Sequence, residues 1–198
     1  MGDRAALLDF IRHNSFGILI GNNTEGVPWG THIPIELEFL EEGTPVLRGH
    51  VSKANPHAAI LAQNPKALAI FSGAHAYVSS SWYAQENVST WNYSAVHVYG
   101  TIRLLTQEEL LDNVTKLTSR YEAGVEKPLY VQNMTLEKVM KEIRGIVGFE
   151  MTLDEIHGKA KLSQNRNPQD YDNIITELEK TGDAQAQGVA DDMKNFKK

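Results

Sequence analysis

The chain has 198 residues, of which 41% are hydrophobic and 22% charged, with no cysteine and a formal net charge of −6. This length favours one domain with appendages, because two separate cores would each be small. The absence of cysteine excludes thiol nucleophiles, iron–sulfur clusters and cysteine-ligated zinc. The acidic balance argues against a protein that binds nucleic acid through its overall charge.

In chain order, the first half predicts a helix that ends near Asn14, strands over 16–21, 31–39 and 45–50, a short helix from Asn55–Pro56 to Ala62, and strands over 67–72 and 76–78. The second half predicts an irregular aromatic segment over 79–90, a long strand over 95–104, helices over 106–121 and after Thr135, a last strand over 146–153, a helix from Asn167–Pro168 and a tail helix after Gly182. The strand over 31–39 alternates between a buried and a wet face. Pro34, which has no N–H, places it at an edge or at a bulge.

These six or seven strands are joined mostly by tight turns, which favours antiparallel pairing and closure into a barrel. There is no regular βαβ alternation, so a Rossmann sheet is not expected. The predicted fold class is mainly β with α (α+β). We expect one barrel domain with flanking helices over 1–166, and a C-terminal helical extension of the same domain over 167–198.

The N-terminal segment is amphipathic and carries Asp3 and Arg4. Its pattern is neither that of a signal peptide nor that of a membrane-spanning helix. We therefore expect a cytoplasmic protein with no membrane association.

The segment 48–56 concentrates groups that suit a phosphate. Basic and hydroxyl side chains fall within six residues, directly before a predicted helix start: Arg48, His50, Ser52 and Lys53. They offer positive charge and hydrogen-bond donors beside a favourable helix dipole. The alternative is an ordinary solvated loop between a strand and a helix.

A second cluster is aromatic. Two of the three tryptophans and three of the seven tyrosines lie within the 17 positions 77–93, mixed with Ser, Thr, Asn and His. Aromatic faces beside short polar donors suit a flat heterocycle with a hydrogen-bonding edge. The alternative is an irregular loop that aromatic packing holds on the barrel.

Local motifs for other chemistries are absent from the sequence. It contains no nucleophile elbow, Walker loop, dinucleotide fingerprint or zinc-protease motif. Four histidines lie on or beside predicted strands, at His32, His50, His75 and His97, but none has a partner at metal-ligand spacing. We predict no metal site.

Ordered blocks of the sequence resemble the PaiB family from about Asp9 to Met193. They are Asn14–Gly17, Thr31–Pro34, Gly49–Val51 with Ala54–Pro56, Phe71–Tyr83, Thr90–Tyr93 with Val96–Gly100, Gly145–Phe149 and Lys161–Arg166. The departures are small. The usual Met-Tyr-x-Pro opening is missing, and Ala74 and Ser89 stand where the family often has proline.

The resemblance implies an FMN-binding split β-barrel of six strands, a homodimer with FMN where two subunits meet, and a role as a negative transcriptional regulator of protease production and sporulation. By analogy with related split-barrel flavoproteins, the phosphate candidates are His50, Ser52, Lys53 and Asn55. The candidates beside the isoalloxazine are Thr31, His32 and Pro34, and those from the partner subunit are Trp91, Asn92, Tyr93 and His97. The segment 161–166 would reach a phosphate, lock the dimer, or form a capped connection into the next helix.

Three functions follow as alternatives. The first is a PaiB-type FMN-binding flavoprotein with a regulatory role. The second is an FMN-dependent oxidoreductase without DNA binding, which suits a chain with no obvious acid–base catalyst. The third is a haem-binding split-barrel protein. From Pro168 onward the sequence holds seven acidic and four basic residues, so direct DNA binding is weakly supported.

Overall fold

The structure is a computed structural model, and it describes residues 3–196. The helices in this part of the chain are α1 (Arg4–His13), α2 (His57–Gln63), α3 (Gln107–Glu122), α4 (Leu136–Ile143), α5 (Pro168–Lys180) and α6 (Ala184–Phe196). The strands are β1 (Phe16–Asn22), β2 (Pro28–Pro34), β3 (Glu36–Phe39), β4 (Pro45–Ser52), β5 (Lys66–Val78), β6 (Thr90–Leu104), β7 (Ile146–Thr152) and β8 (Glu155–Lys161). Short 3₁₀ turns cover Ser80–Trp82 and Val131–Asn133.

The strands form an antiparallel sheet in the order β2-β1-β5-β6-β7-β4-β3, and β8 pairs with β6 outside this path. β2 and β3 stand at the two ends of the order, yet only Ile35 separates them in sequence. The two ends of the path are therefore held next to each other, which is the connectivity of a closed, barrel-like sheet. The α+β fold class is confirmed.

The prediction of one strand over 31–39 is wrong. β2 ends at Pro34 and pairs with β1, whereas β3 begins at Glu36 and pairs with β4. Proline cannot donate to a ladder, so the chain leaves one strand pair there and joins another. The expected alternation of faces is lost with it, because Glu36 is buried and Phe39 is exposed.

The strand over 146–153 is not the last one. β8 follows it and alternates between half-buried and exposed side chains. Glycine and alanine occupy inward positions of β8, at Gly158 and Ala160, and both are poor strand formers. This composition made the alternation of β8 hard to recognise in the sequence. With β8, the described residues contain eight strands.

The other predicted elements lie close to their expected places. Thr106 and Glu109 form the capping box that begins α3. At the start of α5, the Asn167 side chain accepts a hydrogen bond from the backbone N–H of Asp170. Within the part of the chain that the structure describes, no helix is long and apolar enough to cross a membrane.

The described residues divide into two compact units. Unit 1 comprises 3–10, 72–96 and 157–196, and unit 2 comprises 11–71 and 97–156. In the core of unit 1, side chains of α5 and α6 pack against β5, the aromatic segment and the chain that follows β8. The residues of this core include Val78, Tyr83, Leu162, Ile174, Leu178, Val189 and Met193. The largest fully buried side chains of unit 2 include Leu19, Ile35, Leu47, Phe71, Phe149 and Met151.

Candidate functional site

The loop between β4 and α2 bonds to itself and to its neighbours through the backbone. Four of its amides donate within the chain: Lys53 to Gly145 O (2.9 Å), Ala54 to Ser52 Oγ (3.2 Å), Asn55 to Ser52 O (2.9 Å) and His57 to Asn55 Oδ1 (3.0 Å). These four amides are therefore already engaged, and a phosphate at this loop would rely on the side chains.

The side chains of the same loop remain available. Ser52 and Lys53 are exposed, and Ser52 Oγ accepts a hydrogen bond, which leaves its own proton free to donate. The Lys53 ammonium has no hydrogen-bond or ion-pair partner among residues 3–196. Lys53 lines a pocket of about 270 Å³ together with Arg144 and Gln107.

Thr31 on β2 joins the loop to α2. Asn55 Nδ2 donates to Thr31 Oγ1 at 3.4 Å, and the same oxygen bonds His57 Nδ1 at 2.8 Å. His57 is 0% exposed, and burial lowers its pKa. We call these three residues the Thr31 cluster. Sequence reasoning placed Thr31 and Asn55 in the site but missed His57, whose only local indication was its position directly after Asn55–Pro56.

The other two residues predicted beside the flavin ring lie on the opposite side of β2. Successive side chains of a strand alternate between its faces, so His32 and Pro34 do not share the face of Thr31. His32 is exposed, with its ring 6.4 Å from the ring of Phe16. The carbonyl of Pro34 would lie 3.0 Å from a Cβ on Gly49, so this close approach requires glycine.

His50 lies in an apolar pocket. The pocket has a volume of about 260 Å³, and the apolar residues that line it are Val114, Val131, Met134, Val139, Ile143 and Ile146. Burial lowers the pKa of His50, so its imidazole is neutral at pH 7. Among the described residues, no hydrogen bond joins its side chain to the β4–α2 loop.

Arg48, the remaining cation of the predicted phosphate segment, is engaged elsewhere. Its Nε and Nη2 donate to Glu150 Oε2 at 2.8 and 2.6 Å, and its Nη1 donates to Glu38 at 3.1 Å. Arg103 extends the network to Glu109, whose pKa the hydrogen bond from Arg103 lowers to about 2. Arg48 is therefore part of a structural ion network and not a free phosphate donor.

The four β6 residues that were predicted to contact the flavin from a partner subunit lie on two opposite faces of the strand. Trp91, Tyr93 and His97 occupy the outward positions, whereas Asn92 points inward and is 0% exposed. Asn92 Nδ2 donates to Ser163 Oγ at 3.0 Å. The amide of Asn92 is thus committed to the interior of unit 1.

The outward positions of unit 1 form an aromatic surface. Trp91 is 53% exposed and Tyr77 is 48% exposed. The Trp91 ring lies 5.9 Å from Tyr77 and 6.2 Å from His75. These three rings present flat, solvent-accessible faces with polar edges.

The connection between β8 and α5 is tied down within unit 1. Lys161 Nζ donates to Thr90 Oγ1 at 2.6 Å, and the Arg166 guanidinium stacks 4.8 Å from the centre of the Tyr83 ring. Ser163 adopts a left-handed conformation with φ of 60°. These contacts hold the segment 161–166 within unit 1, and the three alternatives for its role stay predictions.

The model of the family described as "Putative FMN-binding domain" matches residues 1–155. The Bacillus subtilis "Protease synthase and sporulation protein PAI 2" is 35% identical over 94% of this chain and 89% of that protein. The chain belongs to this FMN-binding-domain family. Its similarity to the Bacillus protein confirms the resemblance to the PaiB family. A fungal relative in Emericella nidulans, of uncharacterised function, is 30% identical over 89% of this chain and 86% of its own length.

Solved structures show the fold that this family member adopts. The FAD and heme binding protein from Mycobacterium smegmatis has a TM-score of 0.61 at 18% identity, over 81% of this chain and 72% of that one. The flavocytochrome Anf3 from Azotobacter vinelandii has a TM-score of 0.59 at 16% identity, over 87% of this chain and 74% of that one. The fold is therefore that of the split-barrel proteins.

Proposed function

We propose that this protein is a cytoplasmic FMN-binding flavoprotein that acts as a homodimer, with FMN held where two subunits meet. The observation that carries the proposal is the Thr31 cluster beside Ser52 and Lys53. It gathers hydroxyl, amide and ammonium groups from β2 and from the β4–α2 loop. FMN, when bound, supplies electron-transfer chemistry that no side chain of this chain offers.

The donor set fits the phosphate of FMN through side chains. Lys53 offers an unpaired ammonium, Ser52 a free hydroxyl proton, and Asn55 Nδ2 a second hydrogen beyond the one directed at Thr31. Because the loop amides are engaged, the phosphate affinity depends mainly on Lys53. It should weaken as salt screens that charge. His50 lies in the apolar pocket, so it is the weakest member of the predicted phosphate set.

The outward residues of β6 suit a site shared between subunits. Trp91, Tyr93 and His97 point away from the strand's buried face, and a second copy could receive them against the flavin. Trp91 is exposed, whereas Tyr93 and His97 are half-buried. An exposed aromatic side chain such as Trp91 is typical of surfaces that bind a ring or a partner. Asn92 faces inward, so we place it outside the flavin site.

The Bacillus relative named for protease synthesis and sporulation supports a regulatory role. Direct DNA reading by α5 and α6 is not favoured. Both helices bury their apolar faces in unit 1, and the chain from Pro168 onward has seven acidic and four basic residues. Phosphate would be repelled by that balance. The same observation favours the second candidate, an FMN-dependent oxidoreductase without DNA binding.

Titration of the purified protein with FMN and with riboflavin, followed by flavin fluorescence, tests the cofactor. We expect quenching at micromolar FMN and weaker binding of riboflavin, which lacks the phosphate. Lys53→Glu should remove that preference, whereas Lys127→Glu, the same charge change at another exposed lysine, should retain it. The absence of any change with FMN would refute the proposal.

Further measurements separate the roles. Sedimentation with and without FMN tests the homodimer, and flavin reduction by a nicotinamide cofactor distinguishes an oxidoreductase from a passive flavoprotein. A mobility shift with DNA at low salt would support the hypothesis that the protein represses transcription by binding DNA directly. A haem absorption band on titration with haemin would favour the third candidate, although no cluster of three or more metal-binding side chains occurs between residues 3 and 196.

A further inference from the structure

The Thr31 hydroxyl is contacted by two nitrogen atoms, and this determines which way its proton points. Asn55 Nδ2 can only donate, and it does so to Thr31 Oγ1 at 3.4 Å. His57 Nδ1 lies 2.8 Å from the same oxygen and can donate or accept, depending on its tautomer. The tautomer of His57 therefore decides whether Thr31 donates to the imidazole or to something else.

The other nitrogen of His57 settles the tautomer. His57 Nε2 is buried and has no partner among the described residues. It lies 3.0 Å from the position that a Cβ on Gly21 would take, so this edge of the imidazole packs against β1. Buried N–H groups without an acceptor are rarer in folded proteins than buried acceptors without a donor, although both cost free energy. Burial also disfavours the doubly protonated ring. The single proton therefore belongs on Nδ1.

With the proton on Nδ1, both lone pairs of Thr31 Oγ1 accept hydrogen bonds. A hydroxyl group has two lone pairs and one proton, so the proton must point away from Asn55 and His57. Within residues 3–196 it meets no acceptor. Thr31 is only half-buried, so this proton is available to a bound molecule.

We propose that His57 is a positioning residue that makes the Thr31 hydroxyl an obligate hydrogen-bond donor. The site then selects an acceptor atom at this point, of the kind that the carbonyl and imine edge of oxidised flavin offers, and rejects a donor. The identity of the ligand rests on the proposed function, whereas the direction of the Thr31 proton does not.

Long-range ¹H–¹⁵N spectra of the ¹⁵N-labelled full chain without FMN test the tautomer directly. The His57 signals are assigned by their loss in His57→Asn. We expect a protonated Nδ1 and a bare Nε2 near neutral pH. A proton on Nε2 overturns the inference, whether or not FMN binds.

A double-mutant cycle tests whether His57 acts through Thr31. Thr31→Val and His57→Leu should each weaken FMN binding about fivefold, as expected for one neutral hydrogen bond. The double variant should bind no more weakly than Thr31→Val alone, because His57 has no further effect once the hydroxyl is gone. Losses that multiply would overturn the inference, because a structural role would act in both backgrounds.

Conservative variants serve as controls. His57→Asn keeps a donor at the δ position, and Thr31→Ser keeps the hydroxyl, so both should bind FMN within about twofold of the wild type. If His57→Leu does not fold, His57→Gln removes the δ donor in a polar residue and should show the same loss. Failure of the wild type to bind FMN would refute the proposed function. The ¹⁵N spectra would still test the His57 tautomer, and with it the direction of the Thr31 hydroxyl proton.

Discussion

Arg48 and Glu150 face each other across the β4–β7 ladder, and two guanidinium nitrogens of Arg48 donate to one carboxylate oxygen at 2.8 and 2.6 Å. The two side chains are 11% and 9% exposed. Arg48 also bonds Glu38, so it ties β3, β4 and β7 together. An ion pair this far from solvent holds its strands in one register, and either charge left alone would be poorly solvated.

Removing one member of this pair should destabilise the protein strongly. We expect Glu150→Gln and Arg48→Met each to lower the free energy of unfolding by about 2 kcal/mol, because charge-assisted hydrogen bonds at a largely buried site are lost. The remaining charge keeps one partner, Glu38 for Arg48 and Arg103 for Glu150. Urea unfolding measures the change. Lys180→Ala, which breaks the exposed pair with Glu177, should cost less than about 1 kcal/mol. Equal losses at the two sites would show that the Arg48 pair is not desolvated.

Ser163 should tolerate glycine better than alanine. Its side chain exchanges two hydrogen bonds with Asn92, at 3.0 and 3.1 Å, and its φ of 60° strains any L-residue. Both substitutions lose the hydrogen bonds, at a cost of about 2 kcal/mol, but glycine relieves about 1 kcal/mol of backbone strain. Thermal or urea unfolding should rank wild type above Ser163→Gly and Ser163→Ala lowest.

Ser119 provides the matched control for that ranking, because it lies inside α3. In a helix interior, glycine gives a lower free energy of unfolding than alanine by about 1 kcal/mol. Ser119→Gly should therefore be less stable than Ser119→Ala, the reverse of the order at Ser163. The same order at both positions would mean that the left-handed conformation of Ser163 contributes nothing.

Stability should fall as the pH drops below the usual histidine pKa. Burial lowers the pKa of His50 and of His57 from the usual value of 6.5. Below that value the unfolded chain binds more protons than the native one, so the contribution is complete above about pH 6.5 and is lost at lower pH. Urea unfolding between about pH 7 and pH 5 should show a smaller loss for His57→Asn than for the wild type. His32→Asn changes an exposed imidazole and should follow the wild type.

Gly100 should not accept a side chain. A Cβ at this position would lie 1.8 Å from the backbone oxygen of Thr152, which cannot move without breaking the fit of β6 to its neighbours. We expect Gly100→Ala to cost about 3 kcal/mol or more in unfolding free energy. Gly124, which has no atom within 4 Å of such a Cβ, should accept alanine with a change within about 1 kcal/mol. A tolerated Gly100→Ala would contradict this packing of β6.

Several predictions needed only local information. Thr106 and Glu109, three residues apart, define a helix start wherever they occur, and Asn167–Pro168 does the same. Alternation found the long strand β6, whose register of inward and outward residues follows from its period of two. For the site, the sequence identified the stretches around Thr31 and Ser52–Asn55. The division into a domain over 1–166 with an extension over 167–198 stays a prediction.

By itself, the sequence determined the elements whose residues interact with near neighbours, together with the family to which they belong. Only the tertiary structure decided that Pro34 divides one apparent strand into two, because that depends on which strand each half pairs with. It also decided that Arg48 pairs with Glu150, 102 positions away, and that His57 forms a hydrogen bond with Thr31, 26 positions away. Charge and polarity can be read from the chain, but the partner that satisfies each group is set by packing.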